Sequence, residues 1–89
     1  GSPDSPAILD TLGWILIEKG DTARAVSLLQ KAVSLAPDAA EIRYHLAVGL
    51  QKSGDKGAAR QELEHLLASG KAFSKIDDAK KLLKDLEKD

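Results

Sequence analysis

The chain predicts an all-α fold: two helical hairpins of the same kind followed by a capping helix, five helices in one short stack. Three observations carry the prediction. The chain repeats itself at an interval of about 34 positions, a length that fits one helix-turn-helix unit. Each copy is divided in two by a Gly-Asp pair, and very small residues recur where two helices would have to approach. Sliding the sequence by that interval places Leu12 on Leu46, Leu16 on Leu50, Gly20-Asp21 on Gly54-Asp55, Ala25 on Ala59 and Leu29 on Leu63.

The first helix is expected over about residues 7–19, with Ser5 as cap and Pro6 in the first turn, where the missing N–H costs nothing. Gly20 can adopt the left-handed conformation that ends a helix, and Asp21 is placed to cap the next, over about residues 22–36. Pro37 stops it. Asp38 followed by Glu41 reads as a capping box for a third helix running to about Ser53, and Gly54-Asp55 repeats the corner before a fourth over about residues 56–69. Gly70 closes the fourth helix. Ser74 and Asp77 open a fifth that ends near Lys88, with Ile76, Ala79, Leu83 and Leu86 forming one apolar stripe on a charged rod. The resulting divisions are 1–5 as a remnant or linker, 6–39 and 40–73 as the two repeats, and 74–89 as the cap. Gly1-Ser2 reads as a cloning remnant and methionine is absent, so an excerpt of a longer protein is expected.

The small residues have a packing reason. Gly13, Ala25, Ala32, Ala47 and Ala59 carry almost no side chain, so paired helices can close up while leucines fill the flanks.

These residues resemble the tetratricopeptide repeat, whose pattern is Trp-x2-Leu-Gly-x2-Tyr, then Ala-x3-Phe, then Pro. Leu9, Leu12, Gly13 and Leu16, then Ala25 and Leu29, then Pro37 match it in spacing, with leucine at the aromatic positions. In the second copy Arg43, Leu46, Ala47 and Leu50 are followed by Ala59 and Leu63, and Lys71 stands where proline is expected. The run LDTLGWILIEKGD with the segments after it is also similar to the C-terminal end of tetratricopeptide lipoproteins of bacterial PEP-CTERM and exosortase exopolysaccharide systems. That narrower resemblance implies an assembly scaffold of a bacterial envelope, in the periplasm.

At about 100° per residue, Ile8, Leu12, Ile15 and Leu16 share one arc of the first helix, and Trp14 points away from it between Asp10 and Glu18. The tetratricopeptide resemblance implies a right-handed superhelical stack in which the first helix of each repeat lines a concave groove for a protein or peptide. Trp14, Ile17, Tyr44 and Val48 would then face the groove, rimmed by Asp10, Glu18, Glu41, Gln51 and Lys52. Aromatic anchors inside a polar rim suit a binding hot spot. Two repeats are fewer than an array usually needs, so the alternative is an end fragment whose exposed apolar face, including Trp14 and Ile17, meets an upstream repeat or a second copy in a homodimer. One subclass of the family grips a terminal carboxylate with lysine, arginine and asparagine; the wall here offers Asp10, Trp14 and Val48, and recognition of that kind is not expected.

Composition narrows the other classes. Basic and acidic residues are interleaved at a formal net charge of −1, which argues against the concentrated basic face that nucleic acid requires. No apolar run is long enough to span a bilayer. The lack of cysteine removes disulfides and thiolate metal sites and leaves the compartment open. Glu41 and His45 sit one helical turn apart and His65 lies near Gln61 and Glu62, but a hydrolytic zinc site needs three ligands and an open position, and a metal-dependent hydrolase is only a remote alternative. No serine sits in a nucleophile elbow, and Gly54-Asp55-Lys56-Gly57 is the repeated interhelix corner and not a phosphate loop. The expectation is a protein that is not an enzyme and carries no metal or cofactor.

Overall fold

The computed structural model describes residues 5–88, and among them five α-helices follow in order: α1 (Pro6–Lys19), α2 (Thr22–Leu35), α3 (Ala40–Lys52), α4 (Lys56–Ala68) and α5 (Ile76–Glu87). The expected Gly1-Ser2 remnant lies outside the described residues. Helices α1 and α2 form one hairpin and α3 and α4 the next; α2 packs on α3, α4 on α5, and α1 reaches across to α3.

The two Gly-Asp corners are built alike. Gly20 and Gly54 both take a left-handed backbone, with φ of 88° and 95°, a conformation that a side chain would strain. In the first corner the Gly20 N–H donates to Ile17 O at 3.1 Å and the Asp21 N–H to Leu16 O at 2.9 Å; in the second Gly54 donates to Gln51 O at 3.1 Å and Asp55 to Leu50 O at 2.9 Å. These bonds satisfy carbonyls that the helix end would otherwise leave open.

The caps follow the expectation less closely. Asp55 accepts from the Ala58 N–H at 3.2 Å, whereas Asp21 makes no capping bond and its carboxylate instead lies 3.6 Å from Arg24 Nε. The Asp38–Glu41 capping box does not form: α3 begins at Ala40 with Ala39 as its cap. The Arg43 guanidinium orders that turn by donating to the Pro37 carbonyl at 3.1 and 3.3 Å. Nor does Ser74 cap α5, which starts after Lys75; Asp77 and Asp78 in its first turn instead place negative charge at the positive end of the helix dipole.

Leu29 and Leu63, one repeat apart, are fully buried at the centres of the two hairpins, and Ala25, Ala32, Ala47 and Ala59 around them have no exposed surface. At Gly13 a Cβ would stand 2.6 Å from Leu29 Cγ, so α1 and α2 are closer there than any side chain on α1 permits. Along α5, Ala79 and Leu86 are buried and Ile76 and Leu83 half-buried, as a cap on α4 requires.

The second repeat carries one exchange of chemistry. Arg43 and Glu62 occupy the register positions of Leu9 and Leu28 in the first, and they pair through Nη1 and Oε2 at 2.7 Å with both side chains largely covered. An ion pair therefore stands at two positions that are apolar one repeat earlier.

Helix α1 differs from the expected arc. Its buried residues are Leu9, Gly13 and Ile17, while Ile8, Leu12 and Ile15 are 51%, 46% and 40% exposed. The repeat register explains the difference. One repeat later the same positions are Ile42, Leu46 and Gly49, all buried on the side of α3 that α2 covers. Among the described residues no helix covers that side of α1. Sequence period alone assigns both copies to the core because it does not record which copy has a neighbour.

Candidate functional site

The start of α3 faces α1 on one side and the beginning of α5 on the other, and the three helices enclose a cleft of about 350 Å³ lined by Trp14, Glu41, Tyr44, His45, Lys75 and Asp78. Helical spacing puts Glu41, Tyr44 and His45 on one face of α3, since positions three and four apart are neighbours. Trp14 reaches the cleft from α1 because the buried arc of Leu9, Gly13 and Ile17 turns it toward α3. A second hollow, beside Pro37, Arg43 and His65, has only about 30 Å³, room for a water.

His45 organises the cleft. Its Nδ1 lies 2.6 Å from Asp10 Oδ1 across the α1–α3 seam, with the two side chains 12% and 19% exposed. An ionised carboxylate can only accept, so Nδ1–H is the donor, and a neutral imidazole then keeps Nε2 as an acceptor. The Trp14 and His45 ring centres are 4.5 Å apart at 36°, and Tyr44 lies 5.9 Å from His45 on one side and 6.3 Å from Phe73 on the other. The aromatic wall is thus braced from both ends. Burial pushes the Tyr44 phenol above its ordinary pKa, and the negative charge of Asp78 pushes the same way. The phenol therefore stays protonated as a donor at neutral pH.

Of the residues expected on the groove face, Trp14, Tyr44 and Glu41 line the cleft, and Asp10 lies behind it as the partner of His45. Ile17 and Val48 do not reach the surface. They are 5% and 9% exposed, and Ile17 packs toward Gly49, where its Cδ1 would lie 3.4 Å from an added Cβ. Glu18 and Lys52 are exposed and Gln51 half-buried, all beyond the lining. Three lining residues escape a reading of the sequence. His45 enters the sequence reading only beside Glu41 in the remote metal alternative, as an ordinary exposed polar residue, although the face it shares with Glu41 also carries Tyr44. Lys75 and Asp78 come from the start of α5, outside the repeat, and no period relates them to α3. Among the described residues no group of three or more His, Asp or Glu side chains is arranged to hold a metal, and no helix is long and apolar enough to cross a membrane.

Known proteins agree with this architecture. A family model for the tetratricopeptide repeat matches residues 16–75, more than half of the chain. A TPR repeat-containing protein of Pseudomonas aeruginosa is 43% identical over 51 residues, which cover 57% of this chain and 21% of that relative. The chain thus spans about a fifth of the relative's length. No solved structure matches the chain. With paired helices, equivalent Gly-Asp corners and a family model that matches from the end of α1 to the start of α5, the chain belongs to the tetratricopeptide repeat family.

Proposed function

We propose that the chain is a non-enzymatic interaction module that holds a peptide or protein segment in the cleft between α1, α3 and α5. The aromatic wall of Trp14, Tyr44 and His45 is the observation that supports it. Rings braced by one another lose little freedom when a ligand covers them, and a polar rim gives the segment its register. Tetratricopeptide repeats are in general protein-interaction scaffolds, which favours this reading over chemistry. The test is selection of peptides from a displayed library on the immobilised protein, followed by binding of the selected peptides to variants. Trp14→Ala and Tyr44→Ala should weaken binding with helix content preserved, while Leu12→Glu on the outer edge should leave it unchanged. Peptides that bind both cleft variants as well as the parent chain would remove the assignment.

A second reading is self-association through the outer edge of α1, favoured by the exposure of Ile8, Leu12 and Ile15. It replaces the Trp14 and Ile17 face as the dimer surface, since Ile17 is covered by its own chain. Sedimentation should then show a mass that rises with concentration and falls back in Leu12→Glu; a monomer throughout removes it. Following the narrower resemblance to exopolysaccharide-system lipoproteins, we place the module in an envelope assembly scaffold, which cell fractionation of the parent organism would check.

A further inference from the structure

We propose that the cleft takes an arginine side chain of a basic peptide segment, its guanidinium lying against Trp14 and Tyr44 and paired with the carboxylates of Glu41 and Asp78. The inference rests on the proposal that a peptide segment occupies the cleft, and names the chemistry it brings.

Charge points to the guest. Asp10 is engaged by His45, so the ionic groups of the lining are the Glu41 and Asp78 carboxylates and the single ammonium of Lys75. The balance favours a cation, and the two carboxylates belong to different helices, the first turn of α3 and the first turn of α5. A group that bridges them needs donors pointing two ways, which the planar guanidinium provides and a point-like ammonium does less well. His45 agrees: with Nδ1–H given to Asp10, a neutral imidazole has only an acceptor left at Nε2.

The walls point to arginine over lysine. Two of the lining residues, Trp14 and Tyr44, are aromatic, and a guanidinium stacks on aromatic rings while surrendering less hydration than an ammonium. Tyr44 and Asp78 line the same cleft, so one guest can meet both the ring and the carboxylate. Lys75 opposes the guest and should weaken it.

The chain has a single tryptophan, so Trp14 emission reports the cleft directly. The probe is an acetylated, amidated alanine-rich heptapeptide with two arginines, compared with the same peptide carrying lysine, neutral citrulline or glutamate instead. The arginine peptide should shift Trp14 emission at about tenfold lower concentration than the citrulline peptide, with the lysine peptide between and the glutamate peptide weakest. Glu41→Gln and Asp78→Asn together should remove most of that preference, and Lys75→Ala should tighten the arginine peptide. All three residues are exposed, so far-UV circular dichroism should be unchanged in the variants. Equal binding of citrulline or glutamate peptides, or weaker binding after Lys75→Ala, overturns the arginine assignment and leaves the cleft a peptide site. Silence of Trp14 toward all four peptides overturns it too, and the selected-library experiment then decides separately whether the cleft binds peptides.

Discussion

Exchanging glycine for alanine at two helical positions should move stability in opposite directions. Gly57 lies in the first turn of α4 with nothing within 4 Å of where its Cβ would be, so Gly57→Ala gains helix propensity without collision. The expected gain is about 0.5–1 kcal/mol. Gly13→Ala gains a similar propensity, but its new methyl would stand 2.6, 2.9 and 3.2 Å from Cγ, Cδ2 and Cδ1 of Leu29. Carbon atoms prefer about 3.5–4.0 Å, so the seam must open or Leu29 must leave its rotamer. Leu29 has no exposed surface and no open side to turn into, which makes the first outcome the cheaper. Overpacking of this kind costs about 1–3 kcal/mol, and after the propensity gain the variant should be destabilised by up to about 2 kcal/mol. For a domain of this size each kcal/mol corresponds to about 4–8 °C in Tm. Urea and thermal unfolding of the two variants against the parent chain measures the difference. A Gly13→Ala protein stabilised as much as Gly57→Ala would refute the close approach of α1 and α2.

Leu46→Ala should cost about 2–5 kcal/mol in the same melts because Leu46 is 2% exposed, while Leu12→Ala, 46% exposed at the equivalent position, should cost about 1 kcal/mol or less. Either Arg43→Leu or Glu62→Leu alone leaves a largely covered charge without its partner and should destabilise by about 2–4 kcal/mol, whereas the double variant, which restores the leucines of the first repeat, should recover most of the loss. Tyr44, the only tyrosine, has its pKa raised in the folded chain, so folding gains from the protonated phenol below about pH 10 and loses that gain as pH rises through the folded value. Phenolate absorbance should therefore titrate above the value in denaturant, Asp78→Asn should bring it part of the way back, and Tyr44→Phe should flatten the alkaline fall in stability.

The corners and the seams were legible because they are written twice. Gly20 and Gly54 need a left-handed backbone, and a glycine recurring at the repeat interval before aspartate is the mark such a corner leaves in a sequence. Ala25, Ala59, Leu29 and Leu63 recur for a comparable reason, since each hairpin must solve the same packing problem. Helix starts were less legible, because aspartate and serine near a start are common whether or not the side chain bonds; Asp55 caps and Asp21 does not. The exposed edge of α1 escaped the sequence because burial there depends on a neighbour and not on the residue, so Leu12 and Leu46 read alike and fold unlike. The cleft was half legible. Trp14 stood out on the wrong side of an apolar arc, but the Asp10–His45 pair joins positions that are 35 apart and not one repeat apart, so no comparison of copies could expose it.

Amide and indole NMR of the labelled protein, titrated with a peptide selected on it, puts the cleft to its sharpest trial. Shifts should concentrate at the Trp14 indole, Tyr44, His45 and Asp78, with Ile8, Leu12 and Ile15 silent. Shifts confined to those three outer residues of α1, with the Trp14 indole unmoved, would exclude the cleft as the binding face.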